Sequence, residues 1–144
     1  MLLMKRQNHN RLLTATLATI LFALTATRVG AETITVNGDF SGPMTTQGQS
    51  GGGVNSNDCG FVPNTPQETI QVTEKVNYLR LSVESGSGNP TLLIDGPDGR
   101  FCLLADSGNR PSLSGIWMPG DYQVYVGDEQ GQNHQYTLRL STQR

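Results

Sequence analysis

Between residues 68 and 141 the apolar side chains fall on every second position, in short runs separated by clusters of Gly, Pro, Asn and Asp. A period of two places successive side chains on opposite faces of an extended chain. Such runs therefore read as strands half-buried against a core, and no stretch here sustains the 3.6-residue period of a helix. In residues 68–74, Ile70 and Val72 share one face and Thr69, Gln71 and Thr73 the other. In residues 77–84, Leu79, Leu81 and Val83 point inward while Tyr78, Arg80, Ser82 and Glu84 point outward. The link between these two runs, residues 74–77, is short enough to predict a hairpin.

Residues 91–95 carry the continuous run Leu92, Leu93, Ile94, suited to a strand covered on both faces. Gly96-Pro97-Asp98-Gly99 then turns the chain, with Pro97 presetting φ and Gly99 free to take a positive φ. Further strands are expected at 100–104, 113–117, 122–126 and 135–141, and a brief edge strand at 33–36. The sum is about eight strands, an all-β, antiparallel, jelly-roll-like sandwich. Its expected core is Leu79, Leu81, Val83, Leu92, Ile94, Val124, Val126, Leu138 and Leu140.

The 144 residues make one compact unit the expectation once the first thirty or so are set aside. Lys5, Arg6 and Arg11 form a basic start, an uncharged Leu/Ala/Thr run follows, and Val29-Gly30-Ala31 offers small residues to a signal peptidase. The run is about 16 residues, short of the roughly 20 that a membrane span needs, and Arg28 closes it. Residues 1–31 are accordingly read as a cleaved signal peptide, which sends the protein to the periplasm or outside the cell without a transmembrane anchor. Removal of the leader leaves six basic residues against all twelve acidic ones, a formal charge of −6. An acidic chain disfavours polyanions, so nucleic acid is not an expected partner.

Residues 41–57 are almost entirely Gly, Ser, Gln, Thr and Asn, with Gly51-Gly52-Gly53 at the centre. That composition predicts a flexible segment, giving a division into a short strand plus flexible stretch at 32–56 and a sandwich at 57–144. The glycine run is not a phosphate loop, because no Lys-Ser/Thr follows it and no strand-to-helix context surrounds it. Cys59 and Cys102 remain after cleavage, and export to an oxidising space makes an intramolecular disulfide the default, ahead of free thiols or a link between chains. Closing a loop of about 44 residues contributes roughly 4 kcal/mol on the chain-entropy account, an upper figure.

His134 is the one histidine outside the leader. Set in a polar loop, it reads as solvated rather than as the base of a small hydrolase. One histidine and a paired cysteine couple leave no ligand set for structural zinc. Asp95, Asp98 and Asp106 are candidate calcium ligands around one hairpin end, although Asp before Gly is first of all turn chemistry; no other cofactor is implied. Tyr78, Trp117 and Tyr125 are candidates for an exposed aromatic binding surface, with Trp117 in the core as the plainer alternative.

The order of Leu-Ile-Asp-Gly-Pro-Asp-Gly at 93–99, Phe101-Cys102, an acidic loop at Asp106, Trp-Met-Pro-Gly-Asp-Tyr-Gln-Val-Tyr-Val-Gly at 117–127 and Gln135-Tyr136-Thr137-Leu138 resembles the bacterial pre-peptidase C-terminal domain and its stand-alone secreted relatives. The resemblance spans residues 57–140. It implies a β-sandwich that is not itself proteolytic, of a kind in which some members bind matrix or polysaccharide and some bind calcium. No peptidase domain accompanies it here, so no protease activity is carried over. The expected function is a non-enzymatic binding or accessory module for an envelope or extracellular protein or polysaccharide. The alternatives are a structural or regulatory partner of a secreted hydrolase, with residues 41–57 as tether, and a hydrolase using His134.

Overall fold

The computed structural model describes residues 31–105 and 110–144. The leader, apart from Ala31, and Asp106 lie outside the described residues. Among those described there are eleven strands: β1 Glu32–Val36, β2 Met44–Gln49, β3 Val54–Asn55, β4 Phe61–Val62, β5 Glu68–Val72, β6 Val76–Ser85, β7 Pro90–Gly96, β8 Gly99–Leu104, β9 Ser112–Trp117, β10 Gly120–Asp128 and β11 Gln135–Ser141. No helix among them is long and apolar enough to cross a membrane.

The strands form two sheets. One runs β1-β5-β10-β7-β8, with β4 and then β3 joining β10 at Asp128; the other runs β2-β11-β6-β9. Every pairing is antiparallel except β1 with β5. All nine expected core residues are fully buried. They pack with Ile34, Val36, Ile70, Val72, Trp117, Tyr122 and Tyr136 between the sheets. The fold is an all-β sandwich, as the alternation requires: each sheet has one apolar face, and two such faces hide each other.

Leu92 and Ile94 face this core, whereas Leu93 points out of the sheet into a second cluster with Cys59, Val62, Cys102 and Tyr125. The apolar run of β7 is thus covered on both sides. The cover on the outer side is the β3–β4 segment, stapled down by the Cys59–Cys102 disulfide across a Cα–Cα distance of 5.6 Å.

Two expectations are corrected. Residues 41–57 are no tether, because β2 lies within them and pairs with β11 along Met44–Gln49. Residues 32–56 therefore belong to the same sandwich as the rest, and the glycine run is a packing device. Gly51 sits at φ +81° with its N–H donating to Val126 O, and a Cβ there would lie 2.3 Å from Gln132 O. Composition misled because the inward side chains of β2 after Met44 are Thr46 and Gly48, whose burial is set by β11 and β5 rather than by their own hydrophobicity. Second, β5 and β6 do not form a hairpin: β5 lies in the seven-stranded sheet and β6 in the four-stranded one. The short link turns a corner between sheets, so Val72 and Val76 face each other's layer across the core. Alternation alone is the same for a hairpin and for such a corner.

Candidate functional site

β8 and β9 are edge strands of their respective sheets, and they lie on the same side of the sandwich. Phe101 and Leu103 of β8 stand opposite Ile94 and Leu92, so they face the inter-sheet space at its rim. On β9 the inward positions are Leu113, Gly115 and Trp117. Gly115 opposes Leu79 but brings no side chain, and a Cβ placed there would meet nothing within 4 Å. The sheets therefore fail to close along this edge. They leave a cleft of about 360 Å3 walled by Phe101, Leu113 and Met118 and floored by Ile94, Trp117 and Tyr122.

The floor is fixed by polar handles. Trp117 is buried, and its Nε1 donates to Leu79 O at 3.2 Å. The Trp117 and Tyr122 rings lie tilted at 57° with centroids 4.6 Å apart, a geometry that favours aromatic pairs. The Tyr122 hydroxyl donates to Asp98 Oδ2 at 2.9 Å, with Met118 O at the same distance. Burial, aided by the Asp98 carboxylate, pushes the Tyr122 pKa up to about 12. The phenol is therefore neutral across the physiological range and acts as a hydrogen-bond donor. Around the mouth stand exposed apolar side chains, Phe101, Ile116 and Met118, with Ile116 60% exposed on a strand face otherwise polar. Such a gathering of exposed apolar groups beside an apolar cleft is the signature of a contact surface.

The proposed aromatic surface is not assembled. Trp117 is in the core, Tyr78 stands on the outer face of the four-stranded sheet under Arg144, and Tyr125 stands on the outer face of the other sheet against the disulfide cluster. The alternation placed Tyr78 and Tyr125 on outer faces, but two outer faces of a sandwich point in opposite directions, and Trp117 as a surface residue is corrected to the core. The aspartates also diverge. Asp98 turns into the apolar cleft toward Tyr122, Asp95 points out of β7 opposite Arg100, and Asp106 is outside the described residues. Among the described residues no three His, Cys, Asp or Glu side chains gather at metal-binding range.

His134 is held by its surroundings. Its N–H donates to Ser50 Oγ and its carbonyl accepts from Ser50 N. Ser87 Oγ lies 2.9 Å from Nδ1 and Gln132 Oε1 lies 3.1 Å from Nε2. With Nε2–H donating to the amide oxygen, Nδ1 accepts from the serine. An amide carries no charge to stabilise an imidazolium, so the arrangement lacks the third member of a triad. Arg100 and Asp58 form an ion pair beside the disulfide, and the hydrogen bond from the guanidinium holds the Asp58 carboxyl below its usual range.

Sequence reasoning singled out Trp117 and Asp98 in other roles and missed the cleft that they line with Tyr122. The available signal was Gly115 inside a strand pattern with Ile116 beside it on the polar face, where an isolated strand glycine marks a missing side chain.

No protein-family model matches the chain. It is 50% identical over 98 residues to a protein of Synechococcus elongatus described as uncharacterised, an alignment covering 65% of this chain and 72% of that protein. Among solved structures it is similar to the pre-peptidase C-terminal domain of a collagenase from Bacillus anthracis. The TM-score is 0.52 at 19% identity, and the match covers 78% of this chain and 97% of that domain. The chain belongs to the family of the Synechococcus elongatus protein, and its fold is that of the pre-peptidase C-terminal domain.

Proposed function

We propose that the protein is a non-enzymatic binding module, exported from the cytoplasm, whose partner is an envelope or extracellular polypeptide. The observation that carries this reading is the open β8–β9 edge: an apolar cleft with exposed Phe101, Ile116 and Met118 at its mouth. The occupant fitted to it is an extended segment presenting one bulky apolar side chain, laid against an edge strand that pairs with no further strand among the described residues. Likeness to the pre-peptidase C-terminal domain supports a non-catalytic reading, and among the described residues the His134 ring nitrogens meet Ser87 and Gln132 rather than a carboxylate. The tether that a hydrolase-partner role required is occupied by β2.

The test fills the cleft from within. In a pull-down from envelope and culture-supernatant extracts, wild-type protein retains a specific polypeptide, and Gly115→Leu retains none of it. Because the added side chain enters open space, Gly115→Leu keeps or gains up to about 1 kcal/mol of stability. Equal retention by the two proteins overturns the reading.

A further inference from the structure

On the opposite side of the sandwich, β1 and β2 are the sheet edges, and they leave a second cleft of about 520 Å3. Its chemistry is different. Glu32 and Glu68 are direct partners in the parallel β1–β5 pairing, and both occupy inward-facing positions, Glu32 at the mouth and Glu68 inside. Like charges directly opposite each other on neighbouring strands destabilise a sheet. Glu68 is only 4% exposed, and its Oε2 has no hydrogen-bond partner. Thr46, inward on β2, faces it with a hydroxyl near enough to favour the carboxylate's charge, although the pair falls short of good hydrogen-bond geometry.

A buried carboxylate without a partner is expensive, and a chain that places one at the wall of an open cleft leaves it available to an incoming cation. The two ion pairs among the described residues, Arg100–Asp58 and Arg110–Glu84, involve neither Glu32 nor Glu68. The Gln47 and Gln49 side chains and Tyr136 also line the cleft, whereas the Gln67 amide is already engaged, its Nε2 donating to Gln49 O and Val126 O and its Oε1 accepting from Val126 N. The Tyr136 ring packs against Gly48, where a Cβ would meet its hydroxyl at 2.6 Å, so glycine is what admits the buried ring beside the cleft.

We propose that this cleft binds the arginine side chain of a partner polypeptide, with Glu68 as the buried anion and Glu32 at the entrance. A guanidinium fits this set better than a compact ion. Its planar fork of donors reaches two carboxylates at once, and it is less strongly hydrated than an ammonium. A metal ion would draw on more carboxylates than the two present, and the volume far exceeds one ion. The site stands apart from the apolar cleft and does not depend on it.

Arginine amide is the probe and citrulline amide, its neutral isostere, the control, with binding followed by NMR shifts of Tyr136, Gly48 and Glu68 in the purified protein. Arginine amide produces saturable shifts at these residues, and citrulline amide, Glu68→Gln and Glu32→Gln each weaken binding about tenfold or more. Glu32 is exposed, so its variant reports on binding even if Glu68→Gln alters the fold. Equal affinity for citrulline amide, no saturable shift, or affinity unchanged in Glu32→Gln and Glu68→Gln overturns the proposal. So does calcium that gives the same shifts and displaces arginine amide.

Discussion

Cys59 is fully buried beneath the β3–β4 segment, and Cys102 anchors it to β8, so the disulfide holds a layer that has only Val62, Leu93 and Tyr125 as apolar support. Replacing both cysteines by serine is expected to remove about 2–4 kcal/mol in urea denaturation. Hydrogen exchange in the reduced protein should rise first across residues 51–66, while β6, β10 and β11 stay protected. Asp128 is a second single-residue anchor. Its buried carboxylate accepts from Asn89 N at 3.1 Å, Gln130 N at 2.8 Å and Gln132 N at 3.1 Å. Asp128→Ala leaves these amides unpaired and should cost about 1–3 kcal/mol in the same denaturation assay. Glu68 acts in the opposite sense. Burial, reinforced by the neighbouring Glu32 charge and only partly offset by Thr46, raises its pKa in the folded protein. The folded state therefore binds more protons than the unfolded chain between the ordinary carboxyl pKa and the raised one, so stability falls as pH climbs through that window. Glu68→Gln should be more stable than wild type at neutral pH, by about 1 kcal/mol, and should lose the difference below pH 4. Thermal melts of both proteins across pH check the sign.

At the scale of elements, β2 is the strand that composition concealed. A flexible residue 41–57 tether would be the first site of proteolytic attack. A strand paired with β11 over six positions should resist, and limited proteolysis followed by mass spectrometry should find no early cleavage within Met44–Gln49. Gly48 makes the same point through packing. Gly48→Ala puts a methyl into the Tyr136 ring, and the resulting shift should destabilise by about 1–3 kcal/mol even though the site is a half-exposed edge strand. β7 is the reverse case, a strand legible in every detail: its apolar run, its turn at Pro97-Asp98 and its return in β8 all follow from local residues.

Over the whole molecule, the two clefts occupy opposite edges of one sandwich because its two sheets end in step, β8 beside β9 and β1 beside β2. One edge is apolar, with the Tyr122 hydroxyl spent on Asp98. The other is acidic and accepts through Glu32 and Glu68. A partner engaging both would present an apolar segment and an arginine on surfaces set a sandwich width apart, and loss of either contact would leave the other measurable on its own.

Alternation, turn residues and the cysteine pair were enough to determine the class of fold, the nine central core positions and the disulfide, because each depends on a residue and its near neighbours in the chain. What the sequence left open was decided between sheets. The β5–β6 corner, the strand hidden in residues 41–57, the separation of Tyr78 from Tyr125 and the meeting of Glu68 with Thr46 and Tyr136 all turn on which sheet a strand joins. That choice is set by how two apolar faces close over one core, and no single strand records it.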